Sequence, residues 1–533
     1  MSNKAKEFLT QLNSNPKYNG FWQDFNQYCN NFEIPDKNYF VESLPLLYKK
    51  IKDDGASYYI YQALRKFAIE KPEEAIKVLQ IIDVKPTLEN LNFIPSILGG
   101  LSESKTSYPY KDKILSLIES VAEYKINSGV NAAYQVVIKD KKEELKFLNE
   151  VNKILIVVIE KESVQSLGII ARFYNKHLNS IGGAKEIILQ LLQKKNIEVQ
   201  SEVARSLNEE IKFDEEAEYF QKYLKLLTYT ESKYKHVYNT ITYRLKDTIS
   251  KNPEIIIEFI NEWILNNKGK LKGISVLKEI IDELYSNHPK MVETLFLEWL
   301  NSDNQSYKNA LHFVISNFDD NISPIGLPKE LLKNFDEEDS LYIVFMIVGN
   351  VLDRKYASEM LYNILEVNYK NERIRNHIAT LFVKYLIINY YSVTEILKEK
   401  RKTANKIITS IINQIIDTSE NYYKQVSELE IINEFEPSDK RMNYFLKRQN
   451  VQMQKLMDDS ESKNNSFLNM ITNINLKAGK SFFSKHRGVY SQEAEMQNFK
   501  SSFEMPRVQS IDEIGQEKTR LMWQNMKRNE LPN

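Results

Sequence analysis

The chain has 533 residues, and its 72 Lys and Arg balance 72 Asp and Glu, so it carries no formal net charge. Its 15 Gly and 14 Pro are under half of the roughly 12 % these two residues usually supply, which excludes collagen-like and Gly- or Pro-rich chains and argues against turn-rich β-sandwiches and α/β enzymes. One cysteine excludes a disulfide framework and any multi-thiolate metal site, and balanced charge removes bulk attraction to nucleic acid or an acidic membrane.

The first thirteen residues hold no apolar leader before Pro16, so a cytoplasmic protein is expected. Cys29 stands among Phe25, Tyr28 and Phe32 and reads as a buried structural thiol rather than a nucleophile. From Ala5 to about Ile432 apolar residues recur three and four apart, as in Ile114, Leu115, Leu117, Ile118 and Val121. That spacing predicts amphipathic helices. The Tyr58, Tyr59 and Tyr61 group reads mostly as core or groove lining, as does the Tyr390-Tyr391 pair, with an exposed aromatic anchor for a partner as the alternative. Gly99-Gly100 and Gly182-Gly183 lack the dinucleotide-binding glycine frame and read as turns between helices. The apolar runs at 154–159 and 341–348 fall far short of the ~20 residues that span a bilayer; they predict buried helix faces and no membrane partner.

Three segments repeat one design. Aligned on Pro72, Pro253 and Pro289, they place Leu64, Leu245 and Ile281 eight residues before the proline. Ala75, Ile256 and Val292 follow it by three, Val78, Phe259 and Leu295 by six, and Ile82, Trp263 and Trp299 by ten. One helix ends, a short turn follows, and proline opens the next helix where a missing N–H costs nothing. Pro253 and Pro289 are 36 residues apart, a spacing that signals stacked helical hairpins. Further second-helix starts are expected near Pro109, Glu144, Gly183, Glu215, Pro328, Ser358 and Ser392. Acidic Glu73 and Glu74 suit the positive end of such a helix; Asp319 and Asp320 read as a helix start or loop. Trp263 and Trp299 read as core between repeats, with an exposed aromatic anchor for a partner as the alternative.

Two segments, 196–207 and 371–381, share a further shape. An aliphatic precedes Gln or Arg (Val199-Gln200, Ile374-Arg375), and an aliphatic-Ala pair follows (Val203-Ala204, Ile378-Ala379). This resembles the HEAT/armadillo class of α-solenoid repeats. The resemblance spans about four-fifths of the chain and implies an all-α solenoid of stacked hairpins, roughly ten of them, with a period of about 36 over residues 1–436. A boundary near Glu436-Pro437 then separates a partly irregular extension, 437–533, which holds 16 Lys and Arg against 11 Asp and Glu. Residues 458–465 read as a link, and 511–526 as a last helix.

Catalytic motifs are missing from the sequence. The six histidines form no pair three or four apart, so no helical zinc pair arises. Residues 478–481, Ala-Gly-Lys-Ser, lack the earlier glycine of a phosphate loop, because Ile474 occupies its place. No cofactor or metal is expected. The extension is the best place for a dedicated function: Phe482, Phe483, Lys485, Arg487, Arg507, Arg520 and Trp523 are candidate partner-binding residues. The extension could cap the last repeat, dock a partner protein, or stack bases while cations hold phosphate. The leading reading is a non-catalytic protein-interaction scaffold or accessory subunit. Nucleic-acid binding through the mildly basic extension is the alternative, and an enzyme with an unrecognised site the second one. The sequence leaves the oligomeric state open.

Overall fold

Proline sets the register of several helices. In the computed structural model Pro72 and Pro253 each open a helix, Pro72–Val84 and Pro253–Asn266, and Pro289 opens Pro289–Asn301. The structure describes residues 2–15, 20–52, 57–160, 166–231, 233–267, 277–315, 325–428 and 512–532, with short backbone pieces between 440 and 495. These residues are overwhelmingly helical, which is compatible with a helical-repeat fold. The exceptions are small: an isolated bridge between Leu207 and Ile211, and two antiparallel pairs of two-residue strands, Ser481–Phe482 with Ala494–Glu495 and Lys485–His486 with Val489–Tyr490. No helix among the described residues is long and apolar enough to cross a membrane. The expected boundary at Glu436-Pro437 and the link at 458–465 lie outside the described residues.

The chain divides into two compact units, Met1–His288 and Pro289–Asn533. In the first, most helices pack on a chain neighbour and on a helix two elements away. One row runs from Ser57–Glu70 to Ile94–Glu103, Glu123–Gln135, Leu167–Lys176, Ile197–Ser206, Lys235–Lys251 and Lys278–Asn287. A second includes Ala184–Gln193, Phe213–Leu227 and Pro253–Asn266. Outside residues 512–532, hydrogen bonds between helices join residues 12 to 70 apart, and several fall at 36–39. Arg65 donates to Glu103 (2.8 Å, 38 residues apart), Tyr223 to the Lys185 carbonyl (3.1 Å, 38 apart) and Asn267 to the Thr228 carbonyl (3.0 Å, 39 apart).

The second unit uses the same spacing. The Leu327 N–H donates to Asn363 Oδ1 (2.7 Å, 36 apart), Arg354 to Ser392 Oγ (3.0 Å, 38 apart) and Tyr423 to the Ile387 carbonyl (2.7 Å, 36 apart). Its centre is Glu337–Asn350, which packs on Pro289–Asn301, Gln305–Ile315, Arg354–Asn368 and Glu372–Leu381.

The aligned apolar positions are all core, none of them more than 3 % exposed. Trp263 and Trp299 are each 1 % exposed, which removes the exposed-anchor reading: their indoles fill space between helices. Of the expected helix starts, Pro109, Gly183, Pro328 and Ser392 each cap a helix. Ser358 instead lies inside Arg354–Asn368, whose cap is Asp353; that side chain accepts from two N–H groups, a stronger start signal than the serine. Asp319 and Asp320 are outside the described residues.

The Gly pairs divide. Gly183 has φ +79° and caps Ala184–Gln193, a turn that glycine makes without strain. Gly99 and Gly100 are no turn; they sit inside Ile94–Glu103. A Cβ on Gly100 would stand 2.3 Å from the Arg65 carbonyl oxygen and 2.7 Å from Ala68 Cβ. Their job is close approach between two helices.

Candidate interaction site

Buried ionisable groups mark few chemical opportunities. Cys29 is buried, and burial pushes its thiol up to about 12, which keeps it protonated and unreactive. His177 is buried against Phe173, with ring centroids 4.9 Å apart, and its Nε2 has no hydrogen-bond partner. Burial, with a smaller push from Lys176, lowers it to about 4. Among the described residues no three His, Cys, Asp or Glu side chains gather closely enough to hold a metal ion. A cavity of about 190 Å³ in the first unit has charged walls, but these pair with one another: Lys225 with Glu262 at 2.7 Å and Lys222 with Glu218 at 2.5 Å.

The richest arrangement is in the second unit, along Glu337–Asn350. Residues 341–348 are apolar throughout and buried on every side, so this helix lacks the polar stripe its neighbours turn to solvent. Part of its cover comes from Glu513–Gln524, a helix capped by Asp512 accepting from the Gly515 N–H at 2.9 Å. Trp523, 8 % exposed, points inward; its ring meets Tyr385 edge-on at 4.8 Å and Phe345 at 6.5 Å. Tyr385 lies in a π-helical turn, Phe382–Ile387; it is half-buried, and desolvation pushes its hydroxyl up to about 12. Gly349 admits the close crossing. Gln524 Nε2 donates to its carbonyl at 2.8 Å, and a Cβ there would stand 2.9 Å from the Gln524 nitrogen.

Five residues beyond Trp523, Arg528 takes a second seat. Its guanidinium lies 4.3 Å from the Tyr342 ring centroid and donates to the Asn301 carbonyl (2.8 Å), Asn301 Oδ1 (2.7 Å) and Asp339. Beneath it Lys308, 3 % exposed, donates to Tyr342 Oη at 2.5 Å, and Tyr342 Oη lies 3.3 Å from Asp303. Burial lowers the Lys308 ammonium and pushes the Tyr342 hydroxyl up to about 12. A third clasp closes the run: Arg373, held by Glu337 at 2.8 Å and Glu338 at 2.5 Å, donates to the Pro532 carbonyl at 2.7 Å.

Of the seven residues singled out in the sequence, Trp523 and Arg520 are thus placed, both on Glu513–Gln524. Arg520 forms a two-pronged pair with Glu517 at 2.9 and 2.5 Å. Phe482 and Lys485 contribute strand backbone only, and Phe483, Arg487 and Arg507 lie outside the described residues, as do residues 478–480. Arg528, Arg373, Asp339 and Tyr342 were not singled out. The signal for them was the uninterrupted apolar run at 341–348, which requires cover beyond what a hairpin partner supplies.

No family model matches the chain, and no curated protein matches it.

Proposed function

We propose that the chain is a non-catalytic interaction scaffold, a HEAT-like stack of two-helix modules that grips a protein partner. Several inter-helix hydrogen bonds at 36–39 residues in each unit, within a wider spread of 12 to 70 outside residues 512–532, support this reading. A side chain that repeatedly finds its partner one module away is what stacking requires, because each module hides its apolar face only against the next. Charged side chains on one row of the first unit support a gripping surface. Arg172 and Lys176 are exposed and both approach the Tyr134 ring, at 4.7 and 4.5 Å, and Tyr243 is exposed further along the same row.

The test is capture with the full-length chain followed by cross-linking. Specific cross-links that cluster on this row, and that weaken with Arg172→Glu and Tyr243→Ala, are expected. Capture of nucleic acid with affinity that falls steeply with salt would replace the protein partner by a polyanion.

A further inference from the structure

Residues 512–532 bind the second unit in a way no other described segment does. Elsewhere the hydrogen bonds between helices join residues at most 70 apart. Here the partners are 159, 175, 189 and 227 residues away in sequence. The segment follows the Lys406–Glu428 helix after 83 intervening residues. It lies on the surface in a single layer: Trp523 faces in, while Ile514 is 82 % exposed and Leu521 and Met522 are exposed as well.

The groove beneath is organised by its own residues. Tyr342 is held by Lys308 and Asp303, and Arg373 by Glu337 and Glu338. Ordering that is supplied in advance costs the ligand nothing on binding. The groove therefore reads a short code: an aromatic slot between Phe345 and Tyr385, an anionic and aromatic seat at Asp339, Asn301 and Tyr342, and a cation at Arg373 for a main-chain carbonyl. A buried aromatic anchor on a helix face and an arginine seated against an aromatic ring and a carboxylate are frequent carriers of binding energy; here they are Trp523 and the half-buried Arg528.

We propose that this groove is a recognition site for a helix ending just after a Trp, with an Arg five residues beyond that Trp in the turn that follows, that residues 512–532 fill it as a detachable ligand, and that the occupant exchanged for them is the same segment of a second copy of the chain. The proposal rests on the scaffold reading and names its partner at this site. Every contact made within one molecule is reproduced between two, so the contacts do not distinguish the arrangements. The balance falls to effective concentration, which drops as the connection between ligand and site lengthens.

Two full-length variants test this. One disables the ligand, Trp523→Ala with Arg528→Glu, and keeps the groove; the other keeps the ligand and reverses the seat, Asp339→Arg. A labelled synthetic peptide of residues 508–533 is the probe. It should bind the ligand-disabled chain at least about tenfold more tightly than the wild type, whose own segment competes. It should lose that gain when Asp339→Arg is added, and a peptide carrying Arg528→Glu should restore binding to the reversed seat. Mixed together, the two variants should sediment as a dimer while each alone does not. Arg528→Glu alone serves if the double change unfolds the unit. Absence of peptide binding to a folded ligand-disabled chain overturns the recognition site. Peptide binding with a mixture that stays monomeric overturns the second copy as occupant. Neither result depends on capture by the Tyr134 and Tyr243 row, so failure here and failure of the scaffold reading remain separate.

Discussion

Gly100→Ala is a small change whose sign depends on the fold. Gly100 lies inside a regular helix, Ile94–Glu103, where alanine is intrinsically favoured by about 1 kcal/mol. Against that, the new Cβ would meet the Arg65 carbonyl oxygen at 2.3 Å and Ala68 Cβ at 2.7 Å. Both belong to Ser57–Glu70, and neither is the far end of a flexible side chain. A carbon normally stays about 3.3 Å or more from such an oxygen, so the helices must part by roughly 1 Å. Overpacking of that kind costs about 1–3 kcal/mol, occasionally more. Parting them also loosens the Arg65 hydrogen bonds to Glu103 (2.8 Å) and the Gln135 carbonyl (3.0 Å), charge-assisted bonds worth about 1.5–3 kcal/mol each. Less the alanine gain the overpacking leaves about 0–2 kcal/mol, and partial weakening of the two bonds brings the net loss to about 1–3 kcal/mol. Gly182→Ala is the control, because nothing lies within 4 Å of its Cβ. Hydrogen exchange read by mass spectrometry should show lost protection in Ser57–Glu70 and Ile94–Glu103 for Gly100→Ala and no loss for Gly182→Ala. A Gly100→Ala chain as protected as the wild type would refute the close-approach argument.

Other consequences follow from burial. The folded pKa of His177, about 4, lies below the ordinary value near 6.5. Its stabilising share is therefore complete above about pH 6.5 and lost as pH falls toward 4, about 3 kcal/mol in all. Unfolding of wild type and His177→Leu at about pH 7.5 and about pH 4.5 should show a smaller pH dependence in the variant, and equal dependence would contradict the neutral buried imidazole. Cys29, with its thiol pushed up to about 12, should resist alkylation until denaturant is added; prompt labelling of the native chain would contradict its burial. Trp263 Nε1 donates to the Tyr238 hydroxyl at 2.5 Å in the core, so Trp263→Ala should cost about 3–5 kcal/mol in denaturant titration. At equal folded fraction, partner capture should be unchanged; a loss of capture there would return the indole to the interface.

Local features were legible in the sequence where one residue type enforces one geometry. Proline at a helix start and apolar residues at fixed offsets from it placed three helix starts and their buried positions, because a helix's buried stripe is set by its own 3.6-residue repeat. Gly183 was legible for the same reason: a left-handed turn leaves little choice. Gly100 misled because glycine serves two ends, and only the neighbouring helix decides which. The apolar run at 154–159 shows the same limit. Leu155 and Ile159 are buried, but Ile156 and Val157 are exposed, since composition gives apolarity and only packing gives a side. At the candidate site, Trp523 was visible as an isolated aromatic, whereas Arg528 and Arg373 were not. Their partners lie 189 and 159 residues away, and no local period encodes such a distance.

The helix Glu337–Asn350 explains why that distant segment is needed. A helix in a two-layer stack turns one side to solvent, and its sequence provides polar residues there. This one provides none between Leu341 and Val348. Chain neighbours cover it from Pro289–Asn301, Gln305–Ile315, Arg354–Asn368 and Glu372–Leu381, and its far end is tied off by Asn350, whose carbonyl pairs with His312 Nδ1 at 2.9 Å. What those neighbours leave is the strip of Tyr342, Phe345 and Gly349, and Trp523, Gln524 and Arg528 lie over it. Lifting the segment away would bare two aromatic rings and a backbone carbonyl at once. An exposed apolar strip of that kind seeks another cover, and the sequence already contains one that fits.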